Sequence, residues 1–182
     1  MATRTIRKVL FSSPVFRQNE DSTWDGINQN YLNAFKTSGC FLCALTMITA
    51  YMEGNPALMP YNLVARGVTS ATSPHIDSYN VSNEFILREY KSENYTTNQL
   101  IQKIAKSVVE DDTPVFIQVD GHAVVAYGYY GEVNITTSGK PIVSNASAEN
   151  IRFYDPYMGR YDNNYSGLIG TYGDILKIRI PE

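Results

Sequence analysis

Thirteen consecutive residues, CFLCALTMITAYM from Cys40 to Met52, contain no charge, no glycine and no proline. Their Ala, Leu and Met content favours a helix. Apolar side chains on nearly every face require that helix to be buried on nearly every side. The rest of the chain therefore has to be laid around it. Gly39 leaves room for a tight entry into the helix, and Gly54 supplies a C-terminal cap.

The remaining sequence supplies what is needed to cover such a helix. The clearest amphipathic segment is TTNQLIQKIAKSVVEDD, where Leu100, Ile101, Ile104 and Val108 share one face and Thr96 or Thr97 offers an N-cap. VFIQV reads as a strand, Asp120-Gly121 as a tight turn, and HAVVAYGYY as the partner strand. ENIRFYDP and GDILKIRI read as two more strands. Residues 1–36 read as an irregular arm with a short strand around RKVLFS, and NEFILREY as a short helical piece. With 182 residues, 43% of them apolar, and no linker or repeat, the chain is expected to form a single domain, 1–182. Helices first and a mostly antiparallel sheet afterwards make an α+β layout.

Charge narrows the partners. Fifteen Lys and Arg against 18 Asp and Glu give −3 with no basic stripe, so no nucleic acid is expected. No run reaches the roughly 18 apolar residues of a membrane span. The N-terminal MATRTIRKVLFSSPVF has too short an apolar centre for a secretory signal. The expected location is cytoplasmic, or exported without a recognisable signal. Fourteen tyrosines, several in stretches such as MGRYDNNYSG, suit half-buried strand positions and loop anchors, or a surface that grips a polymer.

Both cysteines, Cys40 and Cys43, sit at the start of the apolar helix, and three readings compete. A structural zinc site takes four ligands, and no second paired motif accompanies this one. A redox pair at a helix start has a dipole-stabilised thiolate, but that motif belongs after a strand, and NQNYLNAFKTSG is polar and irregular. The third reading separates the two: Cys40 is a working thiol at the helix end, and Cys43, one turn on, is core packing. A nucleophilic thiol needs a base, and the base needs an orienting partner. His75, in the polar loop TSPHIDS, reads as a surface residue, whereas His122 opens an apolar strand.

Four segments stand in order along the chain: Gln18 in PVFRQNEDSTW, Cys40 in SGCFLCALTM, His122 in TPVFIQVDGHAVVAYGY and Asp155 in NIRFYDPYMG. Taken together they resemble the papain-like cysteine peptidases of the bacteriocin-leader-processing type and their stand-alone relatives. Phe41 and Leu42 stand where that family usually has Gly-Pro. The resemblance implies a papain-like fold, with a buried N-terminal nucleophile helix packed on a mostly antiparallel sheet. It also implies the catalytic set: Cys40 as nucleophile, His122 as base, Asp155 as orienting group and Gln18 as oxyanion donor. Asn134, nearer to His122 in sequence, is a rival to Asp155, and Trp24 is a candidate for the cleft wall. The expected activity is thiol-dependent hydrolysis of a peptide or amide bond in a peptide or protein substrate, without a cofactor or metal. Acyl transfer by the same site and a non-catalytic peptide-binding module are the alternatives.

Overall fold

The computed structural model describes residues 2–11, 15–144, 146–157 and 160–182, with the backbone alone at 160–163. Met158 and Gly159 of the tyrosine-rich stretch, and Pro14 of the segment before Gln18, lie outside the described residues.

The chain opens with strand β1 (Ala2–Val9), a short 3-10 turn (Asp21–Trp24) and helix α1 (Leu32–Ser38). Helices α2 (Cys40–Met52) and α3 (Pro60–Ala65) follow, then β2 (Leu87–Lys91) and α4 (Thr97–Val109). The hairpin of β3 (Val115–Val119) and β4 (His122–Ile135) leads to β5 (Pro141–Ile142), a second 3-10 turn (Ala148–Asn150), β6 (Ile151–Asp155) and β7 (Arg160–Asn163). Helix α5 (Tyr165–Tyr172) and β8 (Lys177–Pro181) close the chain. The eight strands form one sheet in the order β2-β8-β3-β4-β6-β7, with β1 and β5 paired to the outer half of β4. Every pairing is antiparallel.

The architecture is α+β, but it corrects the expected papain-like arrangement. The first element is a strand, and the helix that carries Cys40 comes only after β1, a 3-10 turn and α1. β1 is rich in Thr, Ile and Val, which favour extended backbone. It also finds a partner of matching length, because β4 runs on to Ile135 and pairs with β1 from Ala2↔Ile135 to Val9↔Gly128. The same extension takes GEVNI, the start of the polar segment GEVNITTSGKPIVSNASAE, into β4. NEFILREY is not helical either: its second half is β2, held to β8 from Leu87↔Pro181 to Lys91↔Lys177.

Alternation along the strands builds two cores. Phe116, Ala123, Val125, Tyr127 and Tyr154 face the layer that contains α2, whereas Ile117, Val119, Val124, Ala126 and Phe153 face α4. Burial on both faces explains why HAVVAYGYY lacks polar alternation. α2 is buried from Leu42 to Ala50, and the two threonine hydroxyls in that stretch are satisfied within the helix: Thr46 donates to the Leu42 carbonyl (2.7 Å) and Thr49 to the Leu45 carbonyl (2.8 Å). α4 begins at a capping box in which Thr96 accepts from the Gln99 N–H.

One glycine is fixed by packing. A Cβ on Gly39 would lie 2.3 Å from the Trp24 ring and 2.4 Å from the Phe35 carbonyl oxygen. Trp24, 1% exposed, packs on Phe35 and donates its Nε1–H to the Gln18 carbonyl at 2.7 Å. Gly39→Ala should therefore cost about 1–3 kcal/mol, the range for overpacking a tight site. The chain has a single tryptophan, so its fluorescence in a denaturant titration reads both the loss of stability and the displaced ring. An unchanged midpoint and emission maximum would contradict this packing.

Candidate active site

The site lies at one end of the sheet, where its two covering layers meet. The pairs Val125↔Tyr154 and Ala126↔Phe153 bring Asp155 opposite Val124, two residues from His122 and on the same face. α2 approaches that end from the other face with its first residue, Cys40, and α5 approaches with its last, Tyr172. A cleft of about 970 Å³ opens there, with Gln18, Cys40, His122, Tyr157 and Tyr172 among its walls.

His122 Nε2 is 2.7 Å from Asp155 Oδ1. That bond leaves Nδ1 for the thiol of Cys40, which lies within hydrogen-bonding reach of the imidazole. Tyr172 stacks on the ring at 4.3 Å and 25°, and Tyr157 meets it edge-on at 6.5 Å. Asp155 has no exposed surface, and a bare carboxylate there would be costly. Its oxygens are satisfied instead. Oδ1 also accepts the Tyr157 N–H at 2.7 Å, and Oδ2 accepts the Tyr172 hydroxyl at 2.7 Å. Burial works against a charged His122. The hydrogen bonds to Asp155 and Cys40 and the charges on both outweigh it, raising the imidazole from 6.5 to about 9.

The two thiols are unequal. Cys40, 4% exposed, faces the cleft at the helix start, where Gly39 provides no side-chain cap. Cys43 is fully buried in the core, and burial, with Cys40 nearby, pushes its thiol well above the ordinary range. Among the described residues no three His, Cys, Asp or Glu side chains gather as a metal-ligand group.

Gln18 is 2% exposed and anchored on several sides. Its backbone N–H donates to the Pro156 carbonyl (2.8 Å), and its Nε2 donates one hydrogen to the Lys36 carbonyl (3.1 Å). The second Nε2 hydrogen is not used by any described bond, and Oε1 is buried with no partner. Trp24 does not line the cleft; it stands behind Gln18 and Gly39. His75 is exposed on the cleft rim. Asn134 is excluded as the orienting group, because β4 is one continuous strand. Twelve residues of extended chain put it roughly 40 Å from His122, hydrogen-bonded to Ser144.

Sequence reasoning missed Tyr172 and Tyr157. The Tyr157 N–H bond had a legible signal, since Asp-Pro-x favours a side-chain oxygen accepting from the N–H two residues on. Tyr172 had none. No family model, no curated protein and no solved structure matches this chain.

A raised imidazole fixes the sign of the pH dependence. The fold favours protonated His122, so its contribution to stability is full below about 6.5 and is lost as pH rises through about 9. An NMR titration of His122 should give a midpoint near 9, and Asp155→Asn should move it down, because burial then acts with less opposition. A midpoint near 6.5 in the wild type, unmoved by Asp155→Asn, would contradict the geometry.

Proposed function

We propose that the protein is a cysteine peptidase, a thiol hydrolase that cleaves a peptide or amide bond through a thioester. One observation carries this reading: a buried imidazole held between an almost fully satisfied carboxylate and a thiol at the mouth of a cleft. A structural histidine at a strand end has no use for that set of partners. The four segments that resemble leader-processing peptidases support the same assignment.

With its pKa raised to about 9, His122 already holds at neutral pH the proton drawn from Cys40, on Nδ1, and the thiolate attacks the substrate carbonyl carbon. Asp155 holds the ring through Nε2 and stabilises the imidazolium. The tetrahedral oxyanion is met by the free Nε2 hydrogen of Gln18 and by an uncapped backbone N–H at the start of α2. As the C–N bond breaks, the imidazolium returns its proton to the leaving amine, which leaves an acyl thioester on Cys40. Water, deprotonated by His122, then attacks the thioester and releases a carboxylic acid and the free thiol.

Limiting iodoacetamide near neutral pH, followed by mass mapping, tests the assignment. Cys40 should be alkylated, Cys43 should not, and His122→Ala should abolish the selectivity. Cys40→Ala should retain the fold and lose all hydrolysis of a mixed peptide pool. Hydrolysis that survives in Cys40→Ala, or equal labelling of both cysteines, would overturn it.

Gln18 has its own expected signature. Gln18→Ala removes one oxyanion donor, so the acylation rate should fall about 10²-fold or more. Substrate binding should change little, and Cys40 should still be alkylated. Single-turnover kinetics at saturating substrate separates these effects; an unchanged acylation rate would leave Gln18 a purely structural residue.

A further inference from the structure

The sheet face beneath α2 is wider than the helix that covers it. α2 packs on β4 and β3, while β8 and then β2 continue the same face beyond it. The pairs Phe116↔Arg179 and Gln118↔Lys177, continued by Glu89↔Arg179 and Lys91↔Lys177, set five polar side chains on that face. They are Gln118, Lys177, Arg179, Glu89 and Lys91. This floor beyond α2 therefore holds three cations and one carboxylate, with Arg179 itself buried.

Their contacts leave positive charge over. Arg179 Nη2 binds Glu89 Oε2, and its guanidinium lies 3.6 Å over the Tyr79 ring and 5.4 Å from Phe116. Its Nη1 reaches Gln118 Oε1 at 3.4 Å. Lys91 is 3.4 Å from Glu89 Oε1. Lys177 stands 3.7 Å from Oε2, beyond hydrogen-bonding distance, with a quarter of its side chain exposed. Lys177 and Arg179 line the same cleft as Cys40. Among the described lining residues, Asp120 is the only carboxylate, and it sits in the β3–β4 turn beside His122. The cationic floor is close to the nucleophile: Phe41, next to Cys40, packs on Phe116 at 5.7 Å, and Phe116 meets Tyr79 at 6.1 Å.

We propose that this floor is a substrate subsite for a carboxylate, either an acidic side chain or the C-terminal carboxylate of the peptide. Lys177 makes the contact, and Arg179, fixed by Glu89 and Tyr79, supplies a positive charge behind it. A purely structural role for the group is met by the Arg179–Glu89 pair; Lys177 adds only a longer ion pair to the same carboxylate, and none of the described hydrogen bonds uses its ammonium donors. The inference rests on reading the cleft as a peptide-hydrolysing site.

The test is retention of peptide pools by the folded Cys40→Ala protein, quantified by mass spectrometry. The pools are acetylated hexapeptide amides with Glu or Gln fixed at each position in turn, and a third pool ends in a free carboxylate. Glu at one position, or the free C-terminus, should be retained about tenfold better than its neutral counterpart, the scale of one charge-assisted contact. Which of the two pools is enriched identifies the source of the carboxylate. Lys177→Gln in the same background should bring the ratio close to one, and Lys177→Glu should reverse it in favour of Lys-containing peptides. If Lys177→Glu does not fold, Lys177→Gln decides alone. Equal or absent retention of acidic and neutral pools, or a preference unchanged by Lys177→Gln, overturns the subsite. Failure of the hydrolase reading is separate: the wild-type protein would then leave the pools uncut while Cys40→Ala still retains the acidic ones.

Discussion

The arrangement depends on a carboxylate with no exposed surface. Asp155 ends β6 next to His122, and it survives there only because three donors converge on it: the His122 ring, the Tyr157 amide and the Tyr172 hydroxyl. Removing any one leaves part of a buried charge unsatisfied, which costs more than the bond itself contributes. The same three bonds tie the start of β4, the turn after β6 and the end of α5 to one atom group. Positioning of the imidazole and integrity of this end of the sheet are thus a single physical requirement.

Cys40 is positioned by a different constraint, the uncharged, buried helix α2. Burial from Leu42 to Ala50 fixes where the helix lies, so its first residue emerges at the sheet end without any contact designed for the purpose. Gly39 and Trp24 then set how the chain enters the helix, since the tryptophan ring occupies the volume a side chain would need. Through its indole N–H the same ring holds the backbone of Gln18. Thiol, candidate oxyanion donor and imidazole therefore reach the cleft from three elements, each locked by its own packing. The charged part of the sheet face follows from topology: α2 packs on β4 and β3 and does not reach β8 and β2, where Lys177, Arg179, Glu89 and Lys91 share that face.

How much of this was legible in the sequence follows from how local each determinant is. α2 was readable to the residue because thirteen uncharged positions admit one solution, and α4 because its stripe and its Thr96 cap agree. The β3–β4 hairpin was readable from Asp120-Gly121 between two apolar runs. β2 was read as helical because Asn-Glu-Phe-Ile-Leu-Arg-Glu-Tyr has no clean period of two, and only pairing with β8 makes it a strand. The order of elements was misjudged at the N-terminus because the partner of β1 is the far half of β4, 119 to 133 residues away. Cys40 and His122 were candidates from their local setting, whereas Gln18 and Asp155 entered with the resemblance of the four segments taken together. Tyr172 was not, since its task exists only once α5 is folded across the end of β6.

The central claim is that Cys40 forms an acyl thioester under the control of His122. Pre-steady-state reaction with p-nitrophenyl acetate, followed by acid quench and peptide mass mapping, addresses it without knowledge of the natural substrate. The account predicts a burst of one equivalent of nitrophenolate and a single acetyl group on the peptide containing Cys40, both absent in Cys40→Ala and strongly slowed in His122→Ala. Release without a burst, or acetylation that falls on other residues and persists in Cys40→Ala, would contradict it.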